Sequence, residues 1–134
     1  MFSESEEVAA VDAWHLRLNA GNIEGLLALI HPEVEVGGPR GTSRGIQVFR
    51  DWFGRAGVRL TPVRYFHRGS VVVAEEEGVW QAPGDAAPGS QAVWSLFAVD
   101  GGLIMRIHRF DSRAAALQAA GLGEADEVPD SADC

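Results

Sequence analysis

A single predicted strand near the C-terminal end of the chain, Leu103 to Phe110, most constrains what this sequence can fold into. The Asp100-Gly101 pair before it predicts a turn, because glycine adopts positive φ without steric cost and aspartate tolerates the left-handed region. Successive side chains of a strand point to opposite faces. The residues predicted to share one face are Ile104, Arg106, His108 and Phe110. A face that mixes charged and apolar groups is either the wall of a pocket or a sheet surface with paired polar groups.

The composition is that of one acidic globular domain. The sequence has 134 residues, of which 46 % are hydrophobic, and its formal net charge is −8. This charge argues against nucleic acid or an anionic membrane as a partner, since either needs a basic surface. No apolar run has the length of a membrane span. The only cysteine, Cys134, can form no internal disulfide, so we predict a cytoplasmic protein.

Helical periodicity is clearest in the first part of the chain. Residues 3–20 predict an amphipathic helix with acidic residues in its first turn. Asn22 is expected to cap a short second helix that Pro32 ends. Ser43 is a candidate cap for a third helix, and residues 112–120 predict a last short one.

Strand patterns dominate the second part of the chain. The predicted strands are Glu33–Val36, Val58–Arg68, Val71–Gln81, Gln91–Val99 and Leu103–Phe110. The last four follow one another as hairpins, and helices set apart from an antiparallel sheet make an α+β fold. We expect residues 1–122 to form this domain and residues 123–134 to be an acidic, disordered tail.

Several short motifs resemble a known group of proteins. Leu18 to Ile30 resembles the helix–helix joint of ketosteroid isomerases, and His31 to Val36 continues the match. The closing Asp100-Gly101-x-Leu103 with Phe110-Asp111 is similar to the end of limonene epoxide hydrolases and SnoaL-like polyketide cyclases. Together the motifs cover residues 8–120, and the chain resembles the nuclear transport factor two-like superfamily.

That resemblance implies a cone-shaped, cystatin-like roll in which N-terminal helices pack on a strongly curved, mainly antiparallel sheet. We also expect a homodimer that forms through the outer face of the sheet. The fold hosts isomerases, hydrolases and cyclases as well as non-catalytic modules, so it does not by itself name a function.

The family catalytic residues are mostly replaced in this chain. The oxyanion-binding tyrosine of ketosteroid isomerases corresponds to Trp14, and their proton-shuttling aspartate falls at Gly37 or Gly38. The Asp-Arg-Asp set of limonene epoxide hydrolases falls on His108 and on or near Glu76 and Gly78. SnoaL-like cyclases use an acid/base residue in the closing strand, which His108 can replace because imidazole titrates near neutral pH.

A polar trio forms the candidate catalytic site. Glu76 lies on the more apolar face of its strand, and His108 is expected two strand spacings away, roughly 10 Å. His108 would be the general acid or base, tuned by Glu76 or Glu35, while Arg106 holds an anionic or carbonyl oxygen. In the alternative interpretation Glu76 and Arg106 form a structural ion pair, and His108 is a hydrogen-bonded wall residue. No residue spacing suggests a metal or cofactor site.

Aromatic side chains are candidates for the lining of an apolar pocket. The predicted ligand-binding residues are Trp14, Glu35, Trp52, Phe53, Tyr65, Trp80, Trp94 and Phe110. The same aromatic residues are equally expected in a core or a dimer interface. His15 and His67 are expected at the surface or in an interface rather than at a ligand.

Two functions therefore stay open at this point. The chain is either a pocket protein of the SnoaL-like type that performs cofactor-free acid/base chemistry on a small, largely apolar molecule, or a ligand-binding or dimerisation module without catalysis. An open interior with charged groups favours the first, and an interior filled by its own tryptophans favours the second.

Overall fold

The computed structural model describes residues 6–38, 41–56, 58–80 and 89–128. Helices come first in the chain and strands dominate the rest, as the hydrophobic patterns predict. The helices are α1 (Glu6–Asn19), α2 (Ile23–Leu27), α3 (Ile46–Ala56), α4 (Arg113–Ala120) and a short 3₁₀ turn at Glu124–Asp126. The strands are β1 (Ile30–Gly38), β2 (Gly41–Arg44), β3 (Val58–Arg68), β4 (Val71–Trp80), β5 (Gly89–Asp100) and β6 (Leu103–Phe110).

The strands form one curved sheet in the order β2-β1-β6-β5-β4-β3. Strand β1 runs parallel to β6, and every other neighbouring pair is antiparallel. The strands β3 to β6 follow one another as hairpins, so the expected α+β class with a mainly antiparallel sheet is confirmed.

Each face of the sheet carries its own apolar cluster. On the inner face, α1 packs its apolar stripe across the sheet, and α3 lies against β1. The main inner residues are Val8, Val11, Trp14, Leu18, Phe49, Tyr65, Phe97, Ile104 and Ile107. On the outer face, α4 covers a smaller cluster made by Phe66, Val73 and Leu96.

A β-bulge in β6 decides which of its residues face inward. Ile104 pairs with Val99, but Arg106 pairs with Ala98, so Met105 is an extra residue in this strand. The alternation of faces therefore shifts by one position after Met105. Ile104 and Ile107 both pack in the inner cluster, whereas Arg106 lies on the outer face, opposite to what strict alternation predicts.

The helix and strand boundaries differ from the predictions around the first loop. Asn22 caps α2 as expected, since its side chain accepts a hydrogen bond from the Gly25 amide. Ser43, however, lies in the edge strand β2 and does not cap α3. Pro32 does not end the second helix either, because α2 already ends at Leu27 and β1 begins at Ile30. A short exposed edge strand such as β2 has no apolar alternation, so the sequence pattern does not reveal it.

Residues 123–128, the first part of the predicted tail, contact β3 in the structure. The Val128 amide donates a hydrogen bond to the Tyr65 carbonyl at 2.7 Å, and Glu127 forms a bridge with Phe66. Acidic side chains in this segment pair with β3 arginines, for example Asp126 with Arg68 at 3.5 Å. The rest of the predicted tail, residues 129–134, lies outside the described residues.

We expect truncation after Leu122 to lower the free energy of unfolding by roughly 1–3 kcal/mol, because it removes a buried backbone hydrogen bond and the Val128 contact with the inner cluster. Truncation after Val128 keeps these contacts and is the matched control. Urea unfolding of both chains measures the difference. Equal stability of the two truncated chains would contradict this account of the segment.

Candidate functional site

A carboxylate–imidazole pair lies inside the sheet, between β4 and α1. Glu76 is 0 % exposed and His15 is 1 % exposed. Glu76 Oε2 lies 2.5 Å from His15 Nε2, and Ser95 Oγ donates a hydrogen bond to Glu76 Oε1 at 2.7 Å. All three polar groups belong to different elements, so only the folded chain assembles them.

The hydrogen bonds of this pair fix how many protons it holds. His15 Nδ1 lies 2.8 Å from the Val11 carbonyl oxygen, which only accepts, so Nδ1 carries a hydrogen. One further proton then lies between His15 Nε2 and Glu76 Oε2. The pair is either an imidazolium beside a carboxylate or a neutral imidazole beside a carboxylic acid. A group of this kind can take up or release a proton by moving it over a short distance.

Local structure explains why these side chains meet. Strand alternation places Glu76 on the inner face of β4, where its partner on β5 is the buried Val93. On α1, His15 follows Val11 by one helical turn and therefore joins the stripe that packs on the sheet. The histidine was expected at the surface or in an interface; the structure buries it, because its ring completes the inner face of the helix.

Aromatic rings enclose the pair. The His15 ring centroid lies 5.0 Å from that of Trp14, 5.6 Å from that of Phe97 and 6.0 Å from that of Tyr65. Removing charges from water into such surroundings has a large desolvation cost, which an ion pair only partly offsets. Ionisable pairs in apolar interiors are therefore candidates for functional sites.

The indole of Trp14 adds an unpaired donor to this interior. Trp14 is 1 % exposed, and its Nε1–H has no hydrogen-bond partner within the described part of the chain. Most buried N–H groups in native proteins are paired, and an orphaned one is costly. A ligand oxygen is one kind of partner that would satisfy it.

Tyr65 carries an inward hydroxyl, as Ser95 does, and this hydroxyl acts as a hydrogen-bond donor. Its Oη donates a hydrogen bond to Asp12 Oδ1 at 2.8 Å. Burial raises the pKa of Tyr65, and the hydrogen bond to the Asp12 carboxylate raises it further. The phenol therefore stays protonated and acts as a donor rather than as a base.

The structure brings His108 and Arg106 together with Glu35, the alternative predicted carboxylate, and not with Glu76. His108 Nε2 lies 2.6 Å from Glu35 Oε2, and Arg106 Nε lies 3.3 Å from the same oxygen. Arg44 Nη2 contacts the other Glu35 oxygen at 3.3 Å. These four residues form a half-exposed cluster on the outer face, so Arg106 does not neutralise Glu76. The bulge at Met105 is the reason, because it turns residues 106 and 108 outward.

The predicted aromatic lining divides between the two faces. Trp14 and Tyr65 are buried inside, and Trp52 packs on Phe49 with ring centroids 5.6 Å apart at the edge of the inner cluster. Trp94 and Phe110 instead pack on the outer cluster. The side chains of Phe53 and Trp80 lie outside the described residues.

Two further features concern only the described residues. Within those ranges, no group of three or more His, Cys, Asp or Glu side chains is placed to hold a metal ion. The helices in the same ranges include none that is long and apolar enough to cross a membrane.

Comparison with protein families identifies the type of domain. The model of the SnoaL-like domain matches residues 11–107, which is most of the chain. The chain belongs to this family. The SnoaL-like match also confirms the resemblance to the nuclear transport factor two-like superfamily, as do structural neighbours described with ketosteroid isomerase-like and cystatin-like folds. No curated protein matches the chain.

Solved structures show how widely this fold of the SnoaL-like domain is shared. TerC co-crystallised with polyporic acid is 21 % identical, with a TM-score of 0.70 over 85 % of this chain and 97 % of TerC. A ketosteroid isomerase-like protein from Catenulispora acidiphila in complex with trimethylamine is 21 % identical, with a TM-score of 0.68 over 85 % and 93 % of the two chains. A putative polyketide cyclase from Sinorhizobium meliloti is 14 % identical, with a TM-score of 0.66 over 76 % and 94 %.

We expect His15→Leu to destabilise the protein by roughly 3 kcal/mol or more, since it leaves the Glu76 carboxyl buried without its partner. The double variant His15→Leu/Glu76→Leu removes both groups and should recover most of that loss. Chemical denaturation of the three proteins measures both effects. A double variant no more stable than the single one would contradict the view that the unpaired acid causes the loss.

Proposed function

We propose that this SnoaL-like domain binds a small, largely apolar molecule between α1 and the inner face of the sheet and moves a proton on it without a cofactor. The observation that carries this proposal is the unpaired Trp14 indole N–H in the same aromatic interior as the Glu76–His15 pair. Proton transfer at a carbon next to a carbonyl group needs a base and a hydrogen-bond donor for the carbonyl oxygen. Glu76 would be the base, and Trp14 Nε1–H would be the donor.

The proposed chemistry follows from these atoms. Glu76 takes a proton from the carbon next to a carbonyl group. The C–H bonding electrons then form a C=C bond, and the carbonyl π electrons move to the oxygen. Trp14 Nε1–H donates a hydrogen bond to that oxygen as negative charge develops on it. The protonated acid then returns the proton to the same or another carbon. His15 keeps Glu76 oriented and supplies charge compensation through Nε2.

The proposed site therefore retains Glu76 and adds His15 as its positioning residue, whereas His108 and Arg106 lie outside it. Structural neighbours support the small-molecule part of the proposal, since one was co-crystallised with polyporic acid and another is in complex with trimethylamine. A third neighbour is described as a putative polyketide cyclase, which is consistent with acid/base chemistry. A cytoplasmic location stays a prediction from the cysteine content.

A non-catalytic module is the second candidate, and one observation favours it. Both Glu76 oxygens and both His15 ring nitrogens already have partners, and neither residue is exposed by more than 1 %. A fully paired polar network can serve the uniqueness of a core without any chemistry. The two functions differ in whether the protein should accelerate hydrogen exchange on a ketone bound in the interior.

We expect the protein to accelerate the exchange of α-hydrogens for deuterium in 4-phenyl-2-butanone, an apolar ketone probe, in D₂O. Glu76→Gln keeps the shape of the side chain but removes the base, so exchange should fall by at least ~100-fold, the range typical of a lost general base. Proton NMR of the ketone measures the rate. The His108→Gln variant is the matched control, because its imidazole lies on the outer face.

Two outcomes would overturn parts of this proposal. Equal exchange rates with the wild type, Glu76→Gln and no protein would remove the catalytic role and favour the non-catalytic module. An effect of His108→Gln as large as that of Glu76→Gln would place the chemistry in the outer cluster instead.

Trp14→Phe should lower the exchange rate while leaving Glu76 and His15 in contact.

We also propose that the protein is a homodimer through the outer sheet face near Glu35, since α4 packs mainly over β4, β5 and β6. Light scattering should then give about twice the 14.4 kDa chain mass. Arg44→Glu places a like charge opposite Glu35 and should shift the mass towards the monomer. Arg59→Glu, on the opposite edge strand β3, is the control. A monomeric wild type would exclude the dimer.

A further inference from the structure

Arg109 occupies the position on β6 that strict alternation assigns to His108. After the bulge, Arg109 pairs with Ser95, and directly paired residues on antiparallel strands share a face. Ser95 in turn donates its hydroxyl hydrogen bond to Glu76. Arg109 therefore lies on the inner face, with Ser95 between it and the Glu76–His15 pair.

The exposure of β6 places Arg109 at the rim of the interior. Ile107, two residues earlier on the same face, is 9 % exposed and belongs to the inner cluster. The Arg109 side chain is 48 % exposed. The inner face thus changes from apolar and buried to cationic and solvated within two residues. A molecule that lies inside the cone with one end towards solvent would present that end to Arg109.

The guanidinium is held only loosely by the protein's own carboxylate. Its Nη2 lies 4.0 Å from Asp111 Oδ1, and the Asp111 side chain is 66 % exposed. Exposed ion pairs of this kind are worth little, so another anion can replace Asp111 at small cost. An arginine fork binds carboxylates through paired N–H donors, which makes it selective for that group.

The negative net charge of the chain bears on the role of Arg109 at the rim. A protein of net charge −8 repels anions over most of its surface. An acid can enter the interior only where local positive charge offsets that field. On the inner face of β6, Arg109 provides such a charge next to the rim.

We propose that Arg109 holds the acidic end of the ligand and that the ligand class is an apolar, aromatic or alicyclic carboxylate. This inference rests on the proposed interior site and adds the chemical class of its occupant. The apolar body lies against Trp14 and Phe97, and the carboxylate meets the guanidinium at the rim. Arg109 is then a specificity-determining residue rather than a proton-transfer group.

A matched pair of probes tests the inference. Cinnamate and cinnamyl alcohol share one apolar body and differ in whether the end is charged. Their dissociation constants are measured by titration of the indole N–H signals in ¹⁵N-edited NMR spectra, with the Trp14 signal assigned from Trp14→Phe. We expect cinnamate to bind the wild type at least ~10-fold more tightly than the alcohol, a difference of about 1.4 kcal/mol.

Arg109→Gln should abolish that preference by weakening cinnamate alone, and Arg109→Lys should keep part of it because the charge remains. Arg106→Gln is the control, since Arg106 is similarly exposed at 51 % on the same strand but on the outer face. Far-ultraviolet circular dichroism checks that each variant is folded.

The contrary outcomes separate the two proposals. If both probes shift the Trp14 signal but the preference survives in Arg109→Gln, or falls equally in Arg106→Gln, the interior site stands and the role of Arg109 is overturned. If neither probe perturbs the Trp14 signal, the interior site itself is overturned, and the inference about Arg109 falls with it.

Discussion

The extra residue in β6 is the constraint on which the arrangement of the site depends. Without it, Arg106 and His108 would face the interior on the same side of the sheet as Glu76. With Met105 inserted, Ile107 closes the inner cluster instead, and the two basic side chains join Glu35 on the other side of the sheet. A single bulge thus places the two polar clusters on opposite faces of the sheet. Glu76, the buried acid of β4, pairs instead with His15 of α1.

The Glu76–His15 pair carries a desolvation cost. The pair is desolvated, surrounded by rings and crosses between the helix layer and the sheet. Such pairs contribute little net stability compared with apolar residues of the same volume. Its value to the protein is therefore better explained by chemistry or by specificity of packing than by the strength of the fold. The adjacent Trp14 indole N–H, which has no hydrogen-bond partner among the described residues, is the observation behind the proposal of chemistry.

Much of the fold could be predicted because its signals are local. The alternation in β3 and β4, the Asn22 cap and the Asp100-Gly101 turn each depend on a few neighbouring residues, and each is present in the structure. The parallel pairing of β1 with β6 and the edge strand β2 are not visible in this way. They depend on contacts between distant segments, for which one sequence carries no periodic signal.

Trp14, Tyr65 and Glu76 of the candidate site were predicted from the sequence, but the surroundings of Glu76 were not. Its two hydrogen-bonded partners come from α1 and β5, and neither residue type stands out: a histidine on an amphipathic helix and a serine in a strand are common. The spacing of Val11 and His15 by one turn was the available signal for the histidine. The bulge has no glycine or other marker in the sequence Leu103 to Phe110, so the choice between His108 and Arg109 required the backbone.

The parallel β1–β6 pair has a consequence for how the protein reaches this structure. Strands β3 to β6 pair with their sequence neighbours and can form early, whereas Ile30 must find Ile104 across most of the chain. Closing so long a loop is slow compared with forming hairpins. Until β1 arrives, the backbone of β6 is an open edge that can pair with another molecule. The acidic net charge of the chain opposes that association during folding, which gives the charge a role before any ligand is present.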